Sequence, residues 1–109
     1  MSYKIKSIES FDKELKRLIK KHRSLKADFI EFVESLSTTP IQGKSLGNNC
    51  YKIRLAVKSK GKGKSGGARI ITHLFIENEI VFLLSIYDKS EVDTVSDKDI
   101  KQMLAQIEE

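Results

Sequence analysis

The chain has no tryptophan, one proline and one cysteine in 109 residues. The single cysteine, Cys50, excludes an internal disulfide and any cysteine-based zinc site. The two histidines, His22 and His73, stand far apart in sequence with no ligand cluster beside them, so neither a metal nor another cofactor is expected. No apolar run approaches the ~20 residues needed to cross a bilayer, and the opening MSYKIKSIES lacks the apolar core of a secretory signal. The expected location is therefore the cytoplasm, with no membrane partner. What remains is 39% hydrophobic and 32% charged, lean but globular. That length and composition fit one domain over residues 1–109, with room for a modest core and one surface site.

Carboxylates are scarce where cations are dense. Residues 1–69 carry 17 basic and 6 acidic side chains, whereas residues 70–109 carry 3 basic and 9 acidic. Between Lys44 and Arg69 there are eight basic residues (Lys44, Lys52, Arg54, Lys58, Lys60, Lys62, Lys64 and Arg69) and no acid. Uncompensated positive charge favours a polyanion, and nucleic acid is the commonest one. A solvated, mobile loop without a partner is the other reading.

Hydrophobic spacing gives the elements. Tyr3-Lys4-Ile5-Lys6 alternates as a short strand, and Ser7 or Ser10 can cap a helix whose stripe is Phe11, Leu15, Leu18 and Ile19. A second helix carries Leu25, Phe29, Phe32, Val33 and Leu36 and stops before Pro40. From Cys50, Tyr51, Ile53, Leu55 and Val57 alternate with Lys52, Arg54, Ala56 and Lys58, which predicts a half-buried strand with one basic face. Lys58 to Gly67 reads as a flexible Gly-Lys-Ser loop. Ala68–Ile76 and Ile80–Tyr87 read as a hairpin of central strands about Glu77-Asn78-Glu79. Ser96, with Asp99 three residues on, caps a last helix bearing Ile100, Met103, Leu104 and Ile107. The predicted class is α+β: an N-terminal strand and helical hairpin packed on a mainly antiparallel sheet, with a C-terminal helix.

Several motifs tempt more than they deliver. Gly63-Lys64-Ser65 matches the end of a phosphate-binding P-loop, but Lys58 stands where that motif needs its first glycine, and a strand rather than a helix follows. His22 sits among lysines at a helix end and reads as exposed or as a helix C-terminal charge. His73 lies in a central strand and can face either core or site. Cys50 reads as a small buried hydrophobe. The constellation with chemical content is Lys52 and Arg54 on one strand face, Arg69 after Gly66-Gly67, and Tyr87-Asp88-Lys89 after the last strand. If the three long strands are neighbours, these groups meet on the sheet face opposite the helices. Such a cluster can bind a phosphate and stabilise charge developing on it. A basic surface that only steers nucleic acid is equally compatible with the residues.

Three stretches carry a resemblance: the run from Gly43 to Ala56 containing Asn48-Asn49-Cys50-Tyr51-Lys52-Ile53-Arg54, Gly61–Ile71, and Leu83–Glu91. In this order and spacing they resemble the RelE/ParE toxin superfamily over nearly the whole chain, closest to its RelE/HigB-like branch. The resemblance implies a RelE-like fold and the toxin of a type II toxin–antitoxin pair. It further implies a ribosome-dependent endoribonuclease that cleaves mRNA in the decoding site by 2′-hydroxyl attack, giving a 2′,3′-cyclic phosphate. Lys52 and Arg54 match the family's paired basic residues, Arg69 the arginine expected at the scissile phosphate, and Tyr87 and Lys89 the polar residues after the last strand. RelE also uses a tyrosine a few residues further on, and Val92-Asp93-Thr94-Val95 offers none. On this reading Lys58, Lys60, Lys62 and Lys64 bind ribosomal RNA. The implied partners are a cognate antitoxin, the ribosome and mRNA, and the free toxin is expected to be a monomer. Two alternatives stand beside it: a ParE-like gyrase inhibitor without nuclease activity, and an RNA-binding module without chemistry.

Overall fold

A computed structural model describes residues 2–61, 63, 66–92 and 94–107. Strand β1 (Lys4–Ser7) lies at one edge of the sheet and leads directly into helix α1 (Glu9–Lys21). Neither serine caps that helix. Ile8 occupies the N-cap in extended geometry without a side-chain cap, because its own side chain is a core anchor, only 5% exposed. Ser7 Oγ instead donates to Asp12 Oδ1 at 2.5 Å, and Ser10 Oγ to Gln106 Oε1 at 3.3 Å. Helix α2 (Leu25–Thr38) follows after a short turn and ends at Thr39, the residue before Pro40.

The two helices lay one apolar face on the sheet. Phe11 and Leu18 of α1, and Leu25, Phe32 and Leu36 of α2, are buried together with Ile53, Ile70, Val81 and Ile86 from the strands. Phe29 joins them, its ring centroid 5.9 Å from that of Phe11 and 6.4 Å from that of Phe32.

The remaining strands are β2 (Lys44–Gly47), β3 (Cys50–Leu55), β4 (Ala68–Phe75) and β5 (Ile80–Asp88), in the spatial order β1-β5-β4-β3-β2. β1 runs parallel to β5 and the other pairings are antiparallel. This is the mainly antiparallel sheet that the alternation predicted. The β2–β3 turn is made by Gly47, Asn48 and Asn49, all at positive φ, where glycine and asparagine are the residues least strained. Glu79, at φ 54, closes the tight turn between β4 and β5.

Helix α3 (Asp97–Leu104) packs against β5. Its N-terminus has the predicted reciprocal cap: Asp99 N donates to Ser96 Oγ at 3.1 Å, and Ser96 N to Asp99 Oδ2 at 3.3 Å. Replacing Ser96 by alanine leaves an orphan amide and is expected to cost about 1 kcal/mol, read as a lowered urea midpoint at unchanged m-value. Among the described residues no helix is long and apolar enough to cross a membrane.

Candidate functional site

Alternation along β3 turns Ile53 and Leu55 into the core and Lys52 and Arg54 to the opposite face. Register then extends that face across the sheet. Arg54 is opposite Arg69, Arg69 is opposite Tyr87, and Lys44 is opposite Lys52. Directly opposed side chains on one face lie about 5 Å apart at Cβ, so these pairs form two adjacent rows. Lys89 joins them because its amide donates to Gly67 O at 3.1 Å, drawing the chain after β5 alongside the start of β4.

The result is an open cleft of about 700 Å³ lined, among the described residues, by Lys44, Lys52, Arg54, Arg69 and Lys89, with Gln42, Gly43 and Ile53. Its wall depends on Gly43, whose φ is +81. A Cβ there would lie 2.2 Å from the carbonyl oxygen of Lys52, so only glycine lets the loop lie against β3. Gly67 is similarly tight: a Cβ would lie 2.1 Å from the Leu55 carbonyl oxygen. Arg69 is 7% exposed, and its Nη1 donates to the Ala68 carbonyl at 3.2 Å, which fixes part of the guanidinium. A phosphate bound on this concave surface can accept charge-assisted hydrogen bonds from its guanidinium and ammonium groups.

The structure thus brings together four of the five candidate catalytic residues: Lys52, Arg54, Arg69 and Lys89. Tyr87 shares their row but is 4% exposed, and it borders a separate small cavity with Val92, Val95 and Met103. Its ring is covered rather than offered as a stacking platform.

The lysine-rich connection behaves differently from a loose loop at its start. Lys58–Lys60 is a 3₁₀ turn. Lys58 N donates to Asp28 Oδ2 at 3.1 Å, and Ser59 N to Ser24 Oγ at 2.8 Å. The Lys58 ammonium is exposed, 3.7 Å from an equally exposed Glu31. Lys60 is not a free loop cation: its side chain is 10% exposed and its Nζ lies 2.6 Å from Asp88 Oδ1. Lys62 and Lys64 lie outside the described residues.

Local sequence reasoning missed this second centre. Asp88 turns away from the cleft, toward the helices, and is 2% exposed. His22, read from the sequence as exposed or as a helix C-terminal charge, stands at the C-cap of α1 with a side chain only 13% exposed and places Nε2 2.8 Å from Asp88 Oδ2, with Lys21 Nζ 3.2 Å from the same oxygen. Burial works to raise the Asp88 pKa, but hydrogen bonds from Lys60, Ser90 and His22 outweigh it and hold the carboxyl well below the usual carboxylate range. On the surface beside it, hydrogen bonds from Arg17 and Lys21 draw Glu91 down to about 2.

A carboxylate depressed in the folded state stabilises the fold above its unfolded pKa of about 3.9 and loses that contribution as pH falls further. Urea midpoints are therefore expected to stay level from near pH 7 to about pH 5 and to decline below about pH 4. Asp88→Asn is expected to flatten that acid limb, and a limb of unchanged steepness would remove Asp88 as its source.

Cys50 and His73 are cross-strand partners on β3 and β4, with Sγ 3.6 Å from Nδ1. Burial pushes the Cys50 thiol up and the His73 imidazole down, so both favour their neutral forms, as fits the reading of Cys50 as a small buried hydrophobe. Among the described residues no three His, Cys, Asp or Glu side chains converge as a metal site.

Known proteins share this fold. The family described as "RelE toxin of RelE / RelB toxin-antitoxin system" matches residues 10–108. A double arginine-to-alanine mutant of the E. coli toxin RelE in the free state is similar at a TM-score of 0.63 and 22% identity, over 99% of this chain and 100% of that one. The isolated E. coli RelE toxin is similar at a TM-score of 0.51 and 22% identity, over 96% of this chain and 99% of that one. At that identity the two structures speak for the fold. The family match covers nearly all of the sequence, including every cation of the cleft, and the chain belongs to the RelE toxin family.

Proposed function

We propose that this chain is the toxin of a type II toxin–antitoxin pair and acts as a ribosome-dependent endoribonuclease on mRNA. The observation that carries the proposal is the cleft on which Lys44, Lys52, Arg54, Arg69 and Lys89 converge. In the proposed reaction a 2′-hydroxyl of the message attacks the adjacent phosphorus. The P–O5′ bond breaks, leaving a 2′,3′-cyclic phosphate and a 5′-hydroxyl. Arg69 and Arg54 neutralise the phosphorane, since a guanidinium stays charged and can donate to two oxygens at once. Lys52 and Lys89 are the cleft's candidates for proton transfer.

A site this poor in conventional acid–base groups gains most from a substrate whose geometry is already imposed, and the decoding site supplies that geometry. Exposed cations such as Lys58 and those on the outer face of α1 (Lys13, Lys16 and Lys20) suit the phosphates of ribosomal RNA, in a contact that weakens with salt. The antitoxin is proposed to cover the cleft with an acidic segment, and the toxin to work in the cytoplasm.

The test is a cell-free bacterial translation reaction with purified protein and a defined message, with new 5′ ends mapped by primer extension. Cuts within codons that require ribosomes and disappear with Arg69→Ala are expected. Intact message under continuing translation would overturn the proposal and direct attention to gyrase supercoiling.

A further inference from the structure

Asp88 sits between two site residues and faces the other way. Its Oδ1 accepts from Ser90 N at 2.9 Å, Ser90 Oγ at 2.7 Å and Lys60 Nζ at 2.6 Å. Its Oδ2 is held by the end of α1 through Lys21 and His22. Acceptance from the amide two residues on is an Asx turn. Glu91 N and Val92 N close it by donating to the Asp88 carbonyl at 2.9 and 3.0 Å. Lys89 is the residue enclosed in that turn, and its amide is bonded to Gly67 at the start of the strand that carries Arg69.

From this geometry we infer that Asp88 is a positioning residue: one carboxylate oxygen shapes the turn that aims Lys89 into the cleft, and the other anchors the turn to α1. The inference rests on the nuclease reading, since cleavage is what the aimed lysine would serve. Buried ionic clusters contribute little net stability compared with apolar packing, and fixing geometry is a use to which they are suited. A shift of about 1 Å in a site group is enough to cost on the order of 100-fold in rate.

The experiment compares full-length wild type, Asp88→Asn and Asp88→Ala at a temperature where circular dichroism shows each to be folded. Asparagine keeps an acceptor for the Ser90 amide and loses the ionic anchor, whereas alanine loses both. Three quantities are read: single-turnover cleavage of ribosome-bound message, ribosome affinity, and hydrogen exchange at the Lys89 amide. Cleavage is expected to fall about 10-fold in Asp88→Asn and about 100-fold in Asp88→Ala. Ribosome affinity is expected to stay within about threefold in both, with Lys89 exchange accelerating in the same order as the cleavage loss.

A folded Asp88→Ala that cleaves normally, or one that loses affinity as steeply as rate, overturns the inference. If Asp88→Ala does not fold, Asp88→Asn and Lys21→Met decide it: slower cleavage at unchanged affinity supports it and normal cleavage in both overturns it. If wild type itself leaves ribosome-bound message intact, the nuclease reading fails. Lys89 exchange then decides the geometry alone, and protection unchanged by Asp88→Ala overturns the positioning role.

Discussion

Replacing Arg69 by alanine is expected to lower the single-turnover rate of message cleavage on the ribosome by about 10²- to 10³-fold, the scale for removing one preorganised donor from a developing oxyanion. Ribosome affinity should change by no more than about threefold, because many exposed cations share that contact. The reason lies in placement. Arg69 is 7% exposed, its guanidinium is tethered to the Ala68 carbonyl, and its strand is flanked by those carrying Arg54 and Tyr87. Arg69→Lys keeps the charge but loses the planar pair of donors, and should fall between wild type and alanine. Rate and affinity falling together would instead make Arg69 a binding residue and support a module without chemistry.

The second large effect is structural. Phe11 is 1% exposed, and its ring meets Phe29 across the α1–α2 interface. Phe11→Ala removes that contact and leaves a cavity which the surrounding helices and sheet can only partly close, for a loss of about 3–5 kcal/mol. In a domain of this size that corresponds to a fall of roughly 15–30 °C in melting temperature, read by far-UV circular dichroism. Cleavage per folded molecule should be unchanged, because Phe11 lies beneath the sheet and the cleft lies on its other face. A loss below about 1.5 kcal/mol would show that the helical hairpin tolerates the cavity and contributes less to holding the sheet than its burial implies.

Much of the site was legible because strand alternation is a local rule. Lys52 and Arg54 had to share a face once Ile53 and Leu55 were assigned to the core. Adjacent long strands then sufficed to predict that Arg69 and Lys89 would reach the same surface. The basic character of that surface follows from eight cations without an acid between Lys44 and Arg69. Tyr87 was legible as a member of the row, but not as a residue only 4% exposed, because burial on a strand depends on what packs there from elsewhere in the chain.

The Asp88 centre shows where such reading ends. Lys21 and His22 lie 67 and 66 residues from Asp88, and Lys60 lies 28 residues away. Nothing in the local pattern of any of them signals the others. Composition counted Lys60 among the free cations of a flexible loop, and tertiary structure spends it on a buried carboxylate. Sequence by itself determined the longer strands and the helices, the face each buries and the sign of the site's charge, because period and side-chain chemistry are properties of neighbours along the chain. Only the tertiary structure decided which cations remain available to a substrate and which are consumed in holding the fold, because that depends on contacts between elements whose distance in sequence carries no periodic trace.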